Sequence, residues 1–248
     1  MASFKDHFSG GARGYSAYRP GYPQELFSWL ARLPAERELA WDCATGNGQA
    51  AVGLAPHFTR VVASDASAQQ IANRREHPGI EYLVALAEAS ALRERSCDLV
   101  TVAQSAHWFD FERFYAEVRR VAKSRGVLAL WTYSMFRVDP ACDALVDRFY
   151  EDVIGPYWPP ERRHVESGYA TLPFPLEEIA APRIDLTTDW NLHQVIRYLG
   201  TWSAVQRYRK QHGEDPVGEL EPALAVSWGS PDQPRRVTWP VHLRVGRV

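Results

Sequence analysis

Short apolar runs alternate with helical patterns through the first half of the chain. Leu39-Ala40-Trp41-Asp42-Cys43 predicts a strand with an acid near its end. Gly48 to about Pro56 reads as a helix. Val61-Val62-Ala63-Ser64-Asp65 predicts a second strand, again ending in an acid. Ser67 has the chemistry of an N-cap, for a helix running to about His77. Ile80–Ala85 and Asp98–Ala103 supply a third and a fourth strand. From Asp110 to Lys123, apolar residues fall at Phe111, Phe114, Tyr115, Val118 and Val121, which is helical spacing. Ser124-Arg125-Gly126 breaks that helix, and Val127–Trp131 is a fifth strand. Strands alternating with helices imply βαβ units and a parallel sheet covered on both faces. Buried parallel strands are continuously apolar, as these are.

After residue 132 the rhythm changes. A helix around Cys142–Val153 precedes Gly155-Pro156-Tyr157-Trp158-Pro159-Pro160, which cannot continue it. Arg183–Trp190 reads as a strand, Leu192–Gln211 as one long helix, and Arg236–Val245 as a closing strand. Pro240 places part of that last strand at an edge or a bulge.

Composition narrows the function. The 248 residues carry 28 Lys+Arg against 30 Asp+Glu, a net charge of -2. That gives no support to a nucleic-acid binder working by general phosphate attraction. Hydrophobic residues are 46% and charged residues 23%, an ordinary globular balance. The longest apolar runs are strand-sized, so no membrane span is expected. Met1–His7 lacks an apolar signal core, which points to the cytoplasm. Cys43, Cys97 and Cys142 form no CxxC pair and fit reduced, buried thiols. The histidines lack metal-ligand spacing, so no metal is expected.

The sharpest feature is Asp42-Cys43-Ala44-Thr45-Gly46-Asn47-Gly48, between a strand and a helix. Gly46 and Gly48 permit positive φ and close approach of a ligand. Asp65 ends the next strand, where a carboxylate can take both ribose hydroxyls of a nucleoside. Three readings are open: a dinucleotide on G-x-G-x-x-A, S-adenosylmethionine, or a turn with no ligand. Charge favours S-adenosylmethionine. A dinucleotide brings an anionic pyrophosphate to this turn, which Asp42 would repel. S-adenosylmethionine brings an ammonium and a sulfonium, which Asp42 would attract.

Residues 39–132 resemble a class I S-adenosylmethionine-dependent methyltransferase. Asp42-x-Ala44-Thr45-Gly46-Asn47-Gly48 is similar to that family's first motif, E/D-h-G-x-G-x-G, with Ala44-Thr45 replacing the first G-x. Asp65 matches its ribose-holding acid. Ala87-Glu88 resembles the step whose neighbourhood meets the adenine. Gln104-Ser105-Ala106-His107-Trp108-Phe109-Asp110 and Tyr15-Ser16-Ala17-Tyr18-Arg19-Pro20 resemble segments of a small-molecule branch, that of trans-aconitate-methyltransferase-like proteins. Thr201-Trp202-Ser203-Ala204 and Trp239-Pro240 match the branch too, so the resemblance covers most of the chain.

The resemblance implies one α/β domain with a Rossmann-like, seven-stranded, mostly parallel sheet, helices on both faces and a late helical lid. Its expected parts are a cap (1–38), a cofactor-binding core (39–133), a lid and substrate region with one strand near 183–190 (134–235), and a last strand (236–248). The expected cofactor is S-adenosyl-L-methionine, leaving S-adenosyl-L-homocysteine. Its expected contacts are Tyr18, Arg19, Asp42, Ala44, Thr45, Gly46, Gly48, Asp65, Ala66, Ala87, Glu88, Gln104, His107 and Trp108. Arg19 suits the donor's carboxylate, because a guanidinium binds carboxylates by two parallel bonds. His107 positions the substrate, with general base as its lesser role. Trp131, Tyr133, Tyr157, Trp158, Tyr169, Trp190 and Trp202 are candidates for an apolar chamber, each with ordinary core packing as its alternative. Arg162-Arg163-His164 reads first as a solvated loop and second as a contact for an anionic substrate. The expected partner is a small-molecule acceptor, not a nucleic acid or a membrane, and the chain is expected as a monomer or homodimer. A nicotinamide-dependent oxidoreductase, a non-catalytic donor-binding module and a methyltransferase acting on nucleic acid or protein are the alternatives.

Overall fold

The computed structural model describes residues 20–248. Strands β1 (Leu39–Cys43), β2 (Arg60–Asp65), β3 (Ile80–Val84), β4 (Cys97–Ala103) and β5 (Ala122–Tyr133) run parallel, in the order β3-β2-β1-β4-β5. Strand β8 (Arg235–Arg247) lies antiparallel to β5. Its other neighbours are β6 (Glu177–Glu178) and β7 (Ile184–Trp190), both antiparallel. Seven strands have five residues or more, as expected; the two-residue β6 is an addition. β1 is entirely buried, which its apolar run requires. It also pairs with β2 on one side and β4 on the other, so the sheet reverses its winding there. Ligand crevices in such sheets open at the carboxyl ends of the strands beside that reversal.

Several element boundaries differ from expectation. The helix after Ser67 covers only Ala68–Ala72. Ser67 does cap it, accepting from Gln70 N. The chain then leaves the helix because Arg75 N donates to Asn47 O at 2.8 Å, tying it to the Gly-rich turn. Ser124-Arg125-Gly126 is not a loop. The preceding helix (Phe111–Val121) runs directly into β5, with Arg125 at φ 64° where the pairing with β4 shifts register. The long helix divides into Leu192–Gly200 and Ser203–His212. Between them Trp202 is extended and buried, while Thr201 Oγ1 donates to Tyr198 O. Pro240 sits where the regular β5 ladder ends, just past the Tyr133–Val241 pair. Its carbonyl accepts from Ser134 N, so the missing N–H falls on the side where that ladder stops.

The late helices pack on the sheet through one continuous core. It joins Leu26 and Phe27, Trp131 of β5, Trp239 of β8, and Tyr198 and Trp202 of the late helical region. Among the described residues, no helix is long and apolar enough to cross a membrane.

Candidate active site

Asp42 points inward, beneath the turn. It has no exposed surface. Thr101 lies directly opposite on β4, and its Oγ1 donates to Asp42 Oδ1 at 2.8 Å. Thr45 Oγ1 donates to Asp42 Oδ2 at 2.5 Å. The backbone N–H of Ala51, in the first turn of the next helix (Gln49–Leu54), also faces this carboxylate. Burial pushes the carboxyl up to about 6, against the lowering effect of those hydrogen bonds. Asp42 therefore bears on the turn through Thr45 and on the helix that follows.

Asp65 faces the other way. It is half-buried at the end of β2. Its Oδ2 accepts from Gly46 N at 2.8 Å and its Oδ1 from Ser67 N at 2.8 Å. It thereby fixes both the Gly-rich turn and the start of the following helix. Ala66 continues the same edge, also half-buried.

The glycines divide likewise. Gly46 has φ 58° and open space where a Cβ would point. Gly48 has φ 91°, but a Cβ there would lie 2.3 Å from Tyr82 Oη. The close approach on the Cβ side of Gly48 is thus made by Tyr82 of β3. Ala44 takes φ 52°, a left-handed conformation in which the resembled motif has glycine.

The loops after β3 and β4 meet beside the turn. Glu88 Oε1 accepts from Asp110 N at 3.1 Å, next to buried Ala87. Gln104 is committed to β5: Thr132 Oγ1 donates to its Oε1 and its Nε2 donates to Tyr133 O. His107 and Trp108 form a short helical turn (Ala106–Trp108), their rings 4.7 Å apart. His107 Nδ1 lies 2.9 Å from Tyr169 Oη. The Thr132 hydroxyl and the backbone N–H groups of Ala106 and His107 approach that same oxygen. Which of the two rings donates across this contact follows the imidazole tautomer. Burial, then the charges of Arg162 and His164, push the imidazole down to about 3. The ring is neutral near pH 7 and presents an N–H donor. Tyr169, one of the aromatic chamber candidates, is fully buried and set against His107. It lies 62 positions from His107, and nothing local announces the pair.

The aromatic candidates separate. Trp131, Tyr133, Trp190 and Trp202 are buried in the continuous core, while Tyr157 and Trp158 are half-buried. Tyr18 and Arg19 lie outside the described residues. An open groove of about 620 Å³ runs along the outer side of β8, past His242 and Arg244. It contains none of the turn's residues.

Comparisons with known proteins agree with this geometry. Residues 41–130 match the family of methyltransferase domains. A provisional methyltransferase of Dictyostelium discoideum is 31% identical over 247 residues, covering 97% of this chain and 94% of that one. A provisional S-adenosylmethionine-dependent methyltransferase of Saccharomyces cerevisiae is 29% identical over 128 residues, 48% of this chain and 44% of that one. The solved structure of a provisional type II methyltransferase from Anaeromyxobacter dehalogenans is 49% identical, with a TM-score of 0.89 over 93% of this chain and 98% of that one. Sheet order, switch-point turn and these likenesses together place the chain in the family of class I S-adenosylmethionine-dependent methyltransferases.

Proposed function

We propose that the chain transfers a methyl group from S-adenosylmethionine to an oxygen, nitrogen or carbon of a small-molecule acceptor, by in-line displacement. The observation that carries this reading is the Asp65 carboxylate, fastened to Gly46 N and Ser67 N beside open space at the switch point. A carboxylate oxygen accepts more than one hydrogen bond, so an acid so fixed suits ribose hydroxyls as well. The family assignment removes the dinucleotide reading of the same turn.

Asp65 and Ala66 would hold the ribose edge, and Ala87 and Glu88 would border the adenine. Ala44, Thr45 and Gly46 would face the methionyl part, with Asp42 steadying them from below and Gly48 held by Tyr82. On the family resemblance, Tyr18 and Arg19 would meet the donor's carboxylate. His107 and Trp108 would line the reacting end, while Gln104 braces β4 against β5. Bound there, S-adenosylmethionine supplies a methyl group already activated on a sulfonium. The chain's own task is alignment and exclusion of water, worth up to about 7–11 kcal/mol of barrier when geometry is ideal. Neutral His107, its Nδ1 engaged by Tyr169, orients an acceptor by hydrogen bonding, with general base as its lesser role. Near-neutral net charge supports a small acceptor over a nucleic acid. On this reading the chain works in the cytoplasm as a monomer or homodimer.

Calorimetry with S-adenosylhomocysteine tests the assignment. Wild type binds, and Asp65→Asn loses at least tenfold, about 1.4 kcal/mol. Asp65→Asn keeps the side chain's shape, so thermal melting separates lost affinity from a lost turn. Equal binding by both proteins removes Asp65 from the site.

A further inference from the structure

Residues 85–96 join β3 to β4 without a helix, whereas a helix stands between every other pair of consecutive parallel strands. Ala85 N donates to Asp65 O at 3.0 Å, so this loop starts at the acid of the switch point. Ala87 shares a core with Cys43 of β1, and the charge of Glu88 reaches that same thiol. Two carboxylates stand in for the missing helix. Glu88 Oε1 accepts from Asp110 N, at the start of the helix Phe111–Val121. From further along that helix Glu117 reaches back to the loop. Its Oε1 accepts from Ser90 N at 2.8 Å and from Ser90 Oγ at 2.5 Å. Ser90 has no exposed surface, and its neighbour Ala91 holds a left-handed φ of 59°. Arg120 completes the arrangement, Nε to Oε2 at 2.8 Å and Nη2 to Oε1 at 2.7 Å. That fork, against burial, holds the carboxyl down to about 2, so Glu117 is ionised at neutral pH. Glu117 is only 7% exposed and shares its helix face with Phe114, Tyr115, Val118 and Val121. Helical spacing alone would place an apolar residue there. A carboxylate so buried is costly unless it is paired and hydrogen-bonded. Beyond Arg120, what it holds is Ser90.

We propose that Glu117 is a positioning residue of the donor site: through Ser90 it sets the loop that carries Ala87 and Glu88, and with it the choice of base. The second carboxylate oxygen of Glu88 has no hydrogen-bond partner among the described residues. A carboxylate oxygen accepts from the exocyclic amine of adenine and repels the carbonyl that replaces it in hypoxanthine. That contrast requires the oxygen to keep its place relative to Asp65, and no helix in the loop keeps it there. Ser90 follows Glu88 by two residues, so slack at Ser90 is passed on to Glu88. This rests on the methyl-donor reading above and adds to it the group that holds the base-facing side.

The test titrates S-adenosylhomocysteine and its deaminated counterpart, S-inosylhomocysteine, calorimetrically into wild type, Glu117→Gln and Ser90→Ala. Amide hydrogen exchange of the 85–96 loop is followed on each protein without ligand. Wild type is expected to bind the adenine compound at least tenfold tighter than the hypoxanthine one. Glu117→Gln is expected to lower that ratio at least threefold and to speed exchange in the loop at least tenfold, with β1 unchanged. Ser90→Ala keeps the Glu117–Arg120 pair and is expected to move both readouts the same way by less. A merely structural Glu117 would weaken both compounds alike and leave their ratio unmoved. Should Glu117→Gln fail to fold, Ser90→Ala decides: its ratio must fall at least twofold. Equal binding of the two compounds by wild type, a ratio that survives the substitutions, or loop exchange that does not change each overturns the proposal. Failure of wild type to bind either compound overturns the donor reading instead, and loop exchange then still decides whether Glu117 holds Ser90.

Discussion

Asp42 and Asp65 close adjacent strands of the sheet, and along the chain they look interchangeable. In the fold they serve opposite sides of one turn. Asp42 has no exposed surface and spends its oxygens on Thr45 and Thr101. Asp65 grips Gly46 N and Ser67 N at the edge of open space. The glycines repeat the division, Gly48 under Tyr82 and Gly46 uncovered. Half of the Gly-rich motif therefore builds the turn, and the other half borders open space. Asp65 is the acid on the open side of the turn, and Asp42 lies beneath it.

The glycines give the largest expected contrast. Gly48→Ala must take both a left-handed cost of about 1–2 kcal/mol and an overpacking cost of about 1–3 kcal/mol against Tyr82. Gly46→Ala meets only the first. Denaturant unfolding should rank them so, and Tyr82→Leu should recover the steric part in Gly48→Ala but nothing in Gly46→Ala. If both variants lose the same stability, the inner–outer division is wrong. The next contrast is in pH. Burial raises the Asp42 carboxyl from 3.8 to about 6. Between those values the folded chain holds a proton that the unfolded chain has lost. Its contribution is therefore full below pH 3.8, falls as pH rises towards 6, and stays lost above. The size is about 3 kcal/mol, at 1.36 kcal/mol per unit. Asp42→Asn removes this loss, so its stability relative to wild type should rise between pH 4 and pH 8, by at most about 3 kcal/mol. A difference that stays flat with pH would show that Asp42 ionises normally. Smallest is Ala44→Gly. It relieves the left-handed strain but adds unfolded-state freedom, for a net gain of at most about 1 kcal/mol. A clear loss of stability would mean that the Ala44 methyl packs usefully.

The sheet was legible because its inner parallel strands are largely apolar, and helices stand between all of the parallel strands except β3 and β4. Asp65 and the Gly-rich turn were legible as a spacing. Asp42's inward direction was not, because Thr101 lies 59 positions away and only strand register brings it opposite. Tyr82 over Gly48 and Tyr169 on His107 are hidden for the same reason. Arg162 read first as part of a solvated loop; its stacking on Trp158 depends on how the lid folds back. The split at Gly200–Trp202 carried a local hint, a glycine and a β-branched residue together. Apolar periodicity masked it, because Trp202 belongs to the core from either helix.

The aromatic residues that join lid to sheet also limit how the molecule can breathe. Tyr198 stands edge-on to Trp239 of β8 and to Trp202, with Trp239 Nε1 donating to its hydroxyl. Swinging the late helices away as one piece would wet those rings. At roughly 150–250 Å² for each ring and about 25 cal/mol per Å², that costs several kcal/mol. The late helices are thus fixed to the sheet, and motion among them is confined to small rearrangements away from these rings.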